Sequence, residues 1–99
     1  MSNICVLGNF VADNSFYAKQ LPVKGQTVFG TGFQIGPGGK GSNQAIAAAR
    51  LGSEVSFLGK VGDDEFGKMA INLYKKNNLN HKTVFISKEH PTGVAGIMI

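Results

Sequence analysis

The sequence predicts an α/β fold in which parallel strands are covered by helices. Two short apolar runs, at residues 3–7 and 54–59, have the length and flanks of buried strands. The alanine-rich segment between them, at residues 42–51, has strong helix propensity. Strands that alternate with helices along the chain are typical of a sheet whose parallel strands are joined by helical crossovers.

The first apolar run, Ile-Cys-Val-Leu, predicts a parallel strand at residues 3–7 that is buried on both faces. It contains the only cysteine, Cys5, which we expect to be a buried thiol in a reducing compartment, the cytoplasm. A loop at residues 8–14 then places Asp13 beyond the carboxyl end of this strand, where open α/β sheets bind ligands. Taken alone, Asp13 is compatible with either a turn or capping residue or a ligand-binding carboxylate.

Two further strands are expected outside the main sheet. Residues 16–21 are apolar with polar interruptions, and residues 22–25, Pro-Val-Lys-Gly, indicate a turn. Residues 27–35 are rich in β-formers but contain Gly30 and Gly32, which favours a bent or bulged strand. We expect these two strands to pair antiparallel.

Glycines dominate the stretch that leads into the first helix. Residues 36–41 contain four glycines, one proline and one lysine. The helix is expected at residues 42–51, with Ser42 or Asn43 as its N-cap and Gly52 in the left-handed conformation after its end. A loop with few Cβ atoms at the start of a helix allows a polar ligand to approach backbone N–H groups.

Two nucleotide-binding motifs share features with this stretch. Gly36, Gly38 and Gly41 match the fingerprint Gly-x-Gly-x-x-Gly of dinucleotide-binding oxidoreductases, although the strand before them is interrupted by glycines. A phosphate-binding P-loop requires serine or threonine directly after its lysine, and Gly41 occupies that position. The P-loop is therefore rejected, and a Rossmann oxidoreductase stays as an alternative of a different class.

The same stretch also suits a ligand rich in hydroxyl groups. Gly38 and Gly39 would let the backbone approach such a ligand. Lys40 and Asn43 would offer side-chain hydrogen bonds, and the carboxylate of Asp13 would accept them. This combination matches a polyol better than an anion.

The second half of the chain continues the alternation of helices and strands. Acidic residues at 63–65 begin a helix that should end near residues 77–78. Its buried face is predicted from four apolar residues at helical spacing: Phe66, Met69, Ala70 and Leu73. Strands are expected at residues 82–87 and 94–99, and the apolar ending favours the front part of a longer protein.

Several classes of partner and location are disfavoured. The net charge of +4 comes from scattered basic residues, so nucleic-acid binding is not expected. No run approaches the ~18 apolar residues of a membrane span, and the N-terminus lacks the pattern of a signal peptide. His81 and His90 have no partners at metal-ligand spacing, so no metal site is expected in this segment.

Five segments resemble, in the same order, those of the ribokinase-like carbohydrate kinases, also called the phosphofructokinase-B family. Residues 38–45, Gly-Gly-Lys-Gly-Ser-Asn-Gln-Ala, resemble the N-terminal signature of this family. Residues 6–13 resemble its first strand and sugar-binding aspartate. Residues 21–27 resemble its Pro-x-x-Gly-Glu-Thr lid segment, with Gln26 in place of Glu. Residues 60–67 resemble its Gly-x-Asp helix start, and residues 92–95 resemble its Thr-Gly-x-Ala strand.

The resemblance implies a three-layer α/β/α sandwich with a small β-lid, of which residues 1–99 would be the N-terminal part. Lid strands are implied near residues 16–35 and 82–87, and a lid of this kind often joins two subunits, so a homodimer is expected. Family members use ATP and Mg²⁺ to phosphorylate a hydroxymethyl group of a sugar or nucleoside. A pentose or related sugar is the first expectation, and a nucleoside kinase is the alternative within the fold.

Five residues are implied by position to contact the sugar: Asp13, Gly38, Gly39, Lys40 and Asn43. Val11 stands where ribokinases carry asparagine, which disfavours ribose and favours a deoxy sugar, another pentose or a ketohexose. The catalytic aspartate of the family lies in a Gly-Ala-Gly-Asp turn that no segment here resembles. We therefore assign no catalytic or ATP-binding residue and expect the 99-residue chain alone not to turn over ATP.

Overall fold

The computed structural model describes residues 3–99, which form six strands and two helices in two sheets. The elements are β1 (Asn3–Leu7), β2 (Val11–Tyr17), β3 (Gly32–Gly38), α1 (Lys40–Arg50), β4 (Glu54–Gly62), α2 (Glu65–Lys76), β5 (Val84–Ser87) and β6 (Gly93–Met98). The first sheet has the strand order β1-β4-β5, and the second sheet has the order β3-β2-β6. The predicted α/β class is confirmed.

The first sheet is parallel throughout. Its central strand β4 pairs with β1 on one side and with β5 on the other. The parallel strands predicted at residues 3–7 and 54–59 are confirmed, although β4 continues to Gly62. Helix α2 connects β4 to β5, as expected for a helical crossover between parallel strands.

The core lies between the first sheet and the two helices. Phe57 of β4 and Tyr74 of α2 are fully buried, with ring centroids 5.1 Å apart. Ala45 and Ile46 of α1 complete this side of the core. The predicted apolar stripe of α2 is confirmed: Ala70 is buried, and Phe66, Met69 and Leu73 pack against the core.

The other face of the first sheet is exposed. Because side chains alternate along a strand, Ile4 and Val6 of β1 turn towards the helices, whereas Cys5 and Leu7 point away. Cys5 is a free and exposed thiol. The prediction that β1 is buried on both faces, with Cys5 inside, is wrong, because residues 3–99 cover the sheet on one face only.

The second sheet is built around β2, which pairs antiparallel with β3 and parallel with β6. An antiparallel pair outside the first sheet is confirmed, but its strands lie elsewhere than predicted: β2 begins at Val11 and β3 ends at Gly38. The turn predicted at residues 22–25 is confirmed. The N–H of Gln26 donates to the carbonyl of Val23 at 2.9 Å, and Gly25 has φ of 80°.

The strand predicted at residues 82–87 belongs to the first sheet. Its observed part, β5, pairs parallel with β4 from Gly59↔Val84 to Gly62↔Ser87. The third strand of the second sheet is instead β6. The expectation that residues 82–87 supply a strand to the smaller sheet is therefore wrong, because an apolar pattern favours a strand without specifying its partner.

Helix α1 begins earlier than predicted, at Lys40, and its N-cap is Gly39. Ser42 is buried, and its hydroxyl forms a 2.8 Å hydrogen bond with that of Tyr74, so neither Ser42 nor Asn43 is the N-cap. The prediction for the other end is confirmed, since Gly52 has φ of 99°. Within residues 3–99, neither helix is long and apolar enough to cross a membrane.

Candidate functional site

A cavity of about 600 Å³ lies where the two sheets meet. It is lined by the loop after β1, by the first residues of β2 and by the start of α1. Its polar side chains are those of Asn9, Asp13, Lys40 and Gln44. This is the carboxyl end of β1, the edge at which open α/β sheets bind ligands.

A second cavity, of about 690 Å³, lies at the amino ends of β1 and β4. Its lining includes Cys5 and Asn78 but none of the residues that the sequence assigns to a ligand. Size alone therefore does not identify the site. The smaller cavity is the candidate because a carboxylate and an ammonium group both line it, together with three glycines.

Asp13 is held by the central strand of the second sheet. It pairs with Gly36 of β3 on one side and with Ala95 of β6 on the other. The prediction that Asp13 lies in a loop at residues 8–14 is wrong, since the strand already begins at Val11. Three consecutive polar residues, 13–15, conceal this strand in the sequence. Ladders on both sides give Asp13 a fixed backbone, which suits a ligand-binding carboxylate.

Gly38 lies directly behind the carboxylate of Asp13. A Cβ atom at position 38 would lie 2.5 Å from each of the two carboxylate oxygens. Gly38 is itself buried, at the end of β3. Any larger residue would therefore displace the carboxylate, so the glycine determines where the oxygens of Asp13 can lie.

Gly39 turns the chain from β3 into α1. Its φ of 94° is a conformation that other L-residues rarely adopt. A Cβ atom there would also overlap the backbone carbonyl oxygen of Asn9. A few residues on, a Cβ atom on Gly41 would lie 3.0 Å from the Cα of Gly8. These glycines let two chain segments pack against each other below the cavity.

The first turns of α1 supply the remaining polar groups. Lys40 lines the cavity, and Gln44, four residues later, lines it on the same side of the helix. Asn43 is exposed on α1 and is not part of the lining. The structure thus brings Asp13, Gly39 and Lys40 together and leaves Asn43 apart.

Two polar lining residues were not anticipated from the sequence. Asn9 is the second residue after β1, and Gln44 is spaced one helical turn from Lys40. That spacing predicts Gln44 as a lining residue once the helix is taken to begin at residue 40. In the part of the chain that the structure describes, Lys40 and Asp13 both line the cavity and form no ion pair with each other.

The dinucleotide-binding alternative is not supported by this geometry. The glycines of that fingerprint must lie in the turn between a parallel strand and a helix. Here Gly36 and Gly38 lie inside β3, which pairs antiparallel with β2. The spacing of the glycines therefore matches the fingerprint only in sequence.

Charged and sulfur-containing side chains do not gather elsewhere into a metal site. Among residues 3–99, no group of three or more histidine, cysteine, aspartate or glutamate side chains is close enough to hold a metal ion. Two groups of the described range, 3–99, have shifted pKa values, and both lie outside the cavity lining: Asp64 and Tyr74.

Comparison with known proteins identifies the family of this chain. The family model described as pfkB family carbohydrate kinase matches residues 1–99. The chain belongs to the pfkB family of carbohydrate kinases. A ribokinase from Bacillus subtilis (strain 168) is 51% identical over 79 residues, which cover 80% of this chain and 27% of that protein. A deoxyribokinase from Salmonella typhi is 41% identical over 99 residues, covering 98% of this chain and 32% of that protein.

A solved member of the pfkB family shows the same fold. The structure of an Arabidopsis thaliana ribokinase complexed with ribose and ATP matches with a TM-score of 0.90 and 32% sequence identity. The match covers 99% of this chain and 32% of that chain. The resemblance to ribokinase-like kinases and the fold implied by it are confirmed. The chain spans about a third of the length of the relatives it matches.

Proposed function

We propose that this chain is the sugar-binding part of an ATP-dependent carbohydrate kinase that phosphorylates a hydroxymethyl group of a pentose or related sugar. The observation that carries the proposal is the meeting of Asp13, Gly39 and Lys40 in one cavity at the carboxyl end of β1. A carboxylate that only accepts and an ammonium that only donates hydrogen bonds can together orient a ring with several hydroxyl groups.

In this proposal each residue has a separate role. Asp13 accepts hydrogen bonds from two neighbouring hydroxyls, and Gly38 keeps its carboxylate in place from behind. Gly39 leaves room for the sugar to approach the backbone, and Lys40 donates to a further oxygen. Asn43 lies outside the cavity lining, and its proposed contact with the sugar is supported by the family resemblance alone.

A deoxy sugar is our preferred substrate within this class. Val11 lines the cavity and lies two residues before Asp13 on the same face of β2. An isopropyl group cannot bind a hydroxyl, so a sugar without a hydroxyl at that point leaves no polar group unpaired. The similarity to a deoxyribokinase supports this choice, and the similarity to a ribokinase makes ribose the alternative to test.

ATP and Mg²⁺ are the proposed cofactors of the complete enzyme, where ATP supplies the phosphoryl group. The role of the residues described here is to bind and orient the sugar. Because no residue of the chain is assigned to the catalytic base or to ATP, we propose that residues 1–99 alone do not turn over ATP. The free thiol of Cys5 is compatible with the reducing cytoplasm as the proposed compartment.

The second sheet is the proposed lid over the sugar, and its outer face is the proposed contact of a homodimer. Paired residues of neighbouring strands project from the same face of a sheet. On this basis one face, opposite to Asp13, carries five exposed apolar side chains: Phe16, Phe33, Ile35, Val94 and Met98. Phe16 and Phe33 lie against each other with ring centroids 5.1 Å apart. A contiguous apolar patch of this kind is typical of an interface.

The activity is tested with the full-length protein that contains this chain. ADP release is measured with ATP and 2-deoxyribose, ribose, fructose or a nucleoside as acceptor. We expect turnover with a sugar, and a higher kcat/KM for 2-deoxyribose than for ribose. Absence of turnover with every sugar would refute the proposed class, and faster phosphorylation of ribose would refute the deoxy-sugar preference.

The role of Asp13 is tested by Asp13→Asn. Loss of a charge-assisted hydrogen bond worth about 1.5–3 kcal/mol should lower kcat/KM for the sugar by about 10- to 100-fold. Asp63→Asn is the matched control, because Asp63 is exposed and lies outside the cavity lining. Equal effects of the two substitutions would show that charge alone, and not the position of Asp13, matters.

The dimer is tested by light scattering on the full-length protein. Phe33→Asp places a charge in the apolar face and should convert the dimer to a monomer. Phe29→Asp is the control, because Phe29 is 94% exposed and lies outside the strands of the second sheet. A wild-type protein that is monomeric at every concentration would contradict the dimer without affecting the proposed activity.

A further inference from the structure

Thr92 lies at the point where the chain passes from the first sheet to the second. It is the residue directly before β6, and only 4% of it is exposed. The preceding turn, at residues 88–91, follows β5 of the first sheet. Thr92 is therefore a buried polar residue at a joint between the two sheets, and a buried hydroxyl needs partners.

Four hydrogen bonds connect Thr92 to the end of β4 and, through Asp64, to the first turn of α2. The Thr92 hydroxyl accepts from the N–H of Gly62 at 2.8 Å and donates to Oδ1 of Asp64 at 2.6 Å. The N–H of Thr92 donates to Oδ2 of Asp64 at 2.9 Å. Oδ1 of Asp64 also accepts from the N–H of Gly67 at 2.8 Å, which caps α2. We call these residues the Thr92 junction: Gly62, Asp64, Gly67 and Thr92.

The backbone around the Thr92 junction is closely packed. A Cβ atom on Gly62 would lie 2.5 Å from the N of Thr92, and one on Gly67 would lie 3.2 Å from its Oγ1. The N–H of Asp63 also donates to the carbonyl of Ser87 at 3.0 Å, which fixes the end of β5, where the turn that leads to Thr92 begins. The start of β6 is thus held in one position against the end of β4 and the first turn of α2.

The position of β6 in turn determines that of β2. Gly93, the next residue after Thr92, pairs with Val11, and Ala95 pairs with Asp13. Asp13 therefore lies about 10 Å along a regular ladder from Thr92, at about 3.3 Å per residue. The other two passages between the sheets run through residues 8–10 and through Gly39, where Gly8 packs closely against Gly41 and Gly39 against Asn9.

We propose that Thr92 is a positioning residue for the sugar site: its hydroxyl fixes β6 to the β4–α2 turn, and β6 holds Asp13 at the cavity. The inference rests on the proposed function, since it concerns binding of the sugar. Displacement of a binding group by 1 Å can cost up to about 100-fold in rate, so a small movement at this joint reaches Asp13 with measurable effect.

The test compares Thr92→Val with Thr92→Ser in the full-length protein. Valine has the shape of threonine but no hydroxyl, whereas serine keeps the hydroxyl and loses a methyl group. We expect Thr92→Val to raise KM for the sugar about tenfold, with KM for ATP within twofold of wild type. Thr92→Ser should retain a sugar KM within twofold of wild type. Amide hydrogen exchange of β2 and β6 should accelerate in the valine variant only.

Thr83→Val is the matched control. Thr83 donates its hydroxyl to the carbonyl of Phe57 at 2.7 Å, within the first sheet and away from β6. Thr83→Val removes the same hydroxyl group from the same residue type as Thr92→Val does, so it should lower stability without changing the sugar KM. If Thr92→Val does not fold, Asp64→Asn is used instead. Its Oδ1 still accepts from Gly67, but an NH2 group replaces Oδ2, so the N–H of Thr92 loses its acceptor and the same junction is loosened through the backbone. It should raise the sugar KM in the same direction.

Three results would overturn the inference: an unchanged sugar KM in Thr92→Val or its substitute, an equal rise in Thr83→Val, or unchanged exchange in β2 and β6. A rise in the sugar KM of Thr92→Ser that equals the rise in Thr92→Val would also count against it. Failure of the proposed function is distinguishable, because the wild-type protein would then phosphorylate no sugar. Hydrogen exchange would still decide whether the Thr92 junction joins the two sheets.

Discussion

Replacing Gly39 by alanine should be among the most damaging small substitutions in the described chain. Gly39 has φ of 94°, and a Cβ atom there would overlap the carbonyl oxygen of Asn9. Two unfavourable effects are therefore combined at one position. The first is backbone strain from a positive φ, and the second is a steric clash between the segments that form the floor of the cavity.

Two other glycines allow these effects to be separated. Gly52 has φ of 99° but no atom within 4 Å of a Cβ position, so Gly52→Ala measures the strain alone. Gly36 has neither a positive φ nor a neighbour within 4 Å, so Gly36→Ala measures the remaining effect of adding a methyl group. The three substitutions are chemically identical and differ only in their surroundings.

The expected losses of unfolding free energy follow from these surroundings. Gly36→Ala should change the unfolding free energy by no more than about 0.5 kcal/mol. Gly52→Ala should lower it by about 1–2 kcal/mol, the cost of a left-handed conformation for an L-residue. Gly39→Ala should exceed Gly52→Ala by about 1–3 kcal/mol, which is typical of forcing an extra carbon into a packed region.

The measurement is urea denaturation of the full-length protein, with midpoints and slopes compared among the three variants. Sugar kcat/KM is measured in parallel. Only Gly39→Ala should lower it, since Gly39 alone of the three lines the cavity. A Gly39→Ala variant that is no less stable than Gly52→Ala would refute this explanation, because the clash with Asn9 would then be relieved without cost.

Two predictions concern titratable groups. Hydrogen bonds from the Thr92 hydroxyl, then from the N–H groups of Thr92 and Gly67, lower the pKa of Asp64 below its ordinary 3.8. The ionised Asp64 thus contributes to stability above about pH 4, and this contribution is lost as the pH falls through the pKa of the folded state. The unfolding free energies of wild type and Asp64→Asn should therefore converge at acid pH. A difference that stays constant with pH would contradict this. Tyr74→Phe leaves the Ser42 hydroxyl buried without its partner and should cost about 1–3 kcal/mol in urea denaturation. Burial raises the pKa of Tyr74 above its ordinary 10.0, so wild-type stability should fall above pH 10 by a component that the phenylalanine variant lacks.

Local patterns in the sequence determined most of the elements. Short apolar runs predicted β1 and β4, and helical spacing of apolar residues predicted the buried face of α2. Gly52 predicted the end of α1, because few other residues adopt its positive φ. These features depend on residues within one or two turns of each other, so the sequence contains the information directly. The family resemblance also indicated three residues of the cavity lining: Asp13, Gly39 and Lys40.

Tertiary structure decided which elements meet. The pattern of β5 and that of β6 are both apolar, yet β5 joins the first sheet and β6 the second. Asp13 lies in a strand because β3 and β6 pair with it from both sides, although its polar neighbours favour a loop. Cys5 is exposed because the helices cover the other face of its sheet. Pairing and burial are properties of distant segments, so a strand pattern does not reveal its partner.

The glycine-rich stretch before α1 shows both what the sequence indicates and what tertiary packing decides. Its composition indicated a place where a ligand can approach the backbone, and Gly39 and Lys40 do line the cavity. Only the folded chain shows that Gly38 lies against the carboxylate of Asp13 and that Gly39 lies against Asn9. The residues in contact are about 25 to 30 positions apart in the chain. Glycine is required at position 38 because a carboxylate lies where a Cβ atom would be, and at position 39 because a backbone carbonyl does; only tertiary packing determines these neighbours.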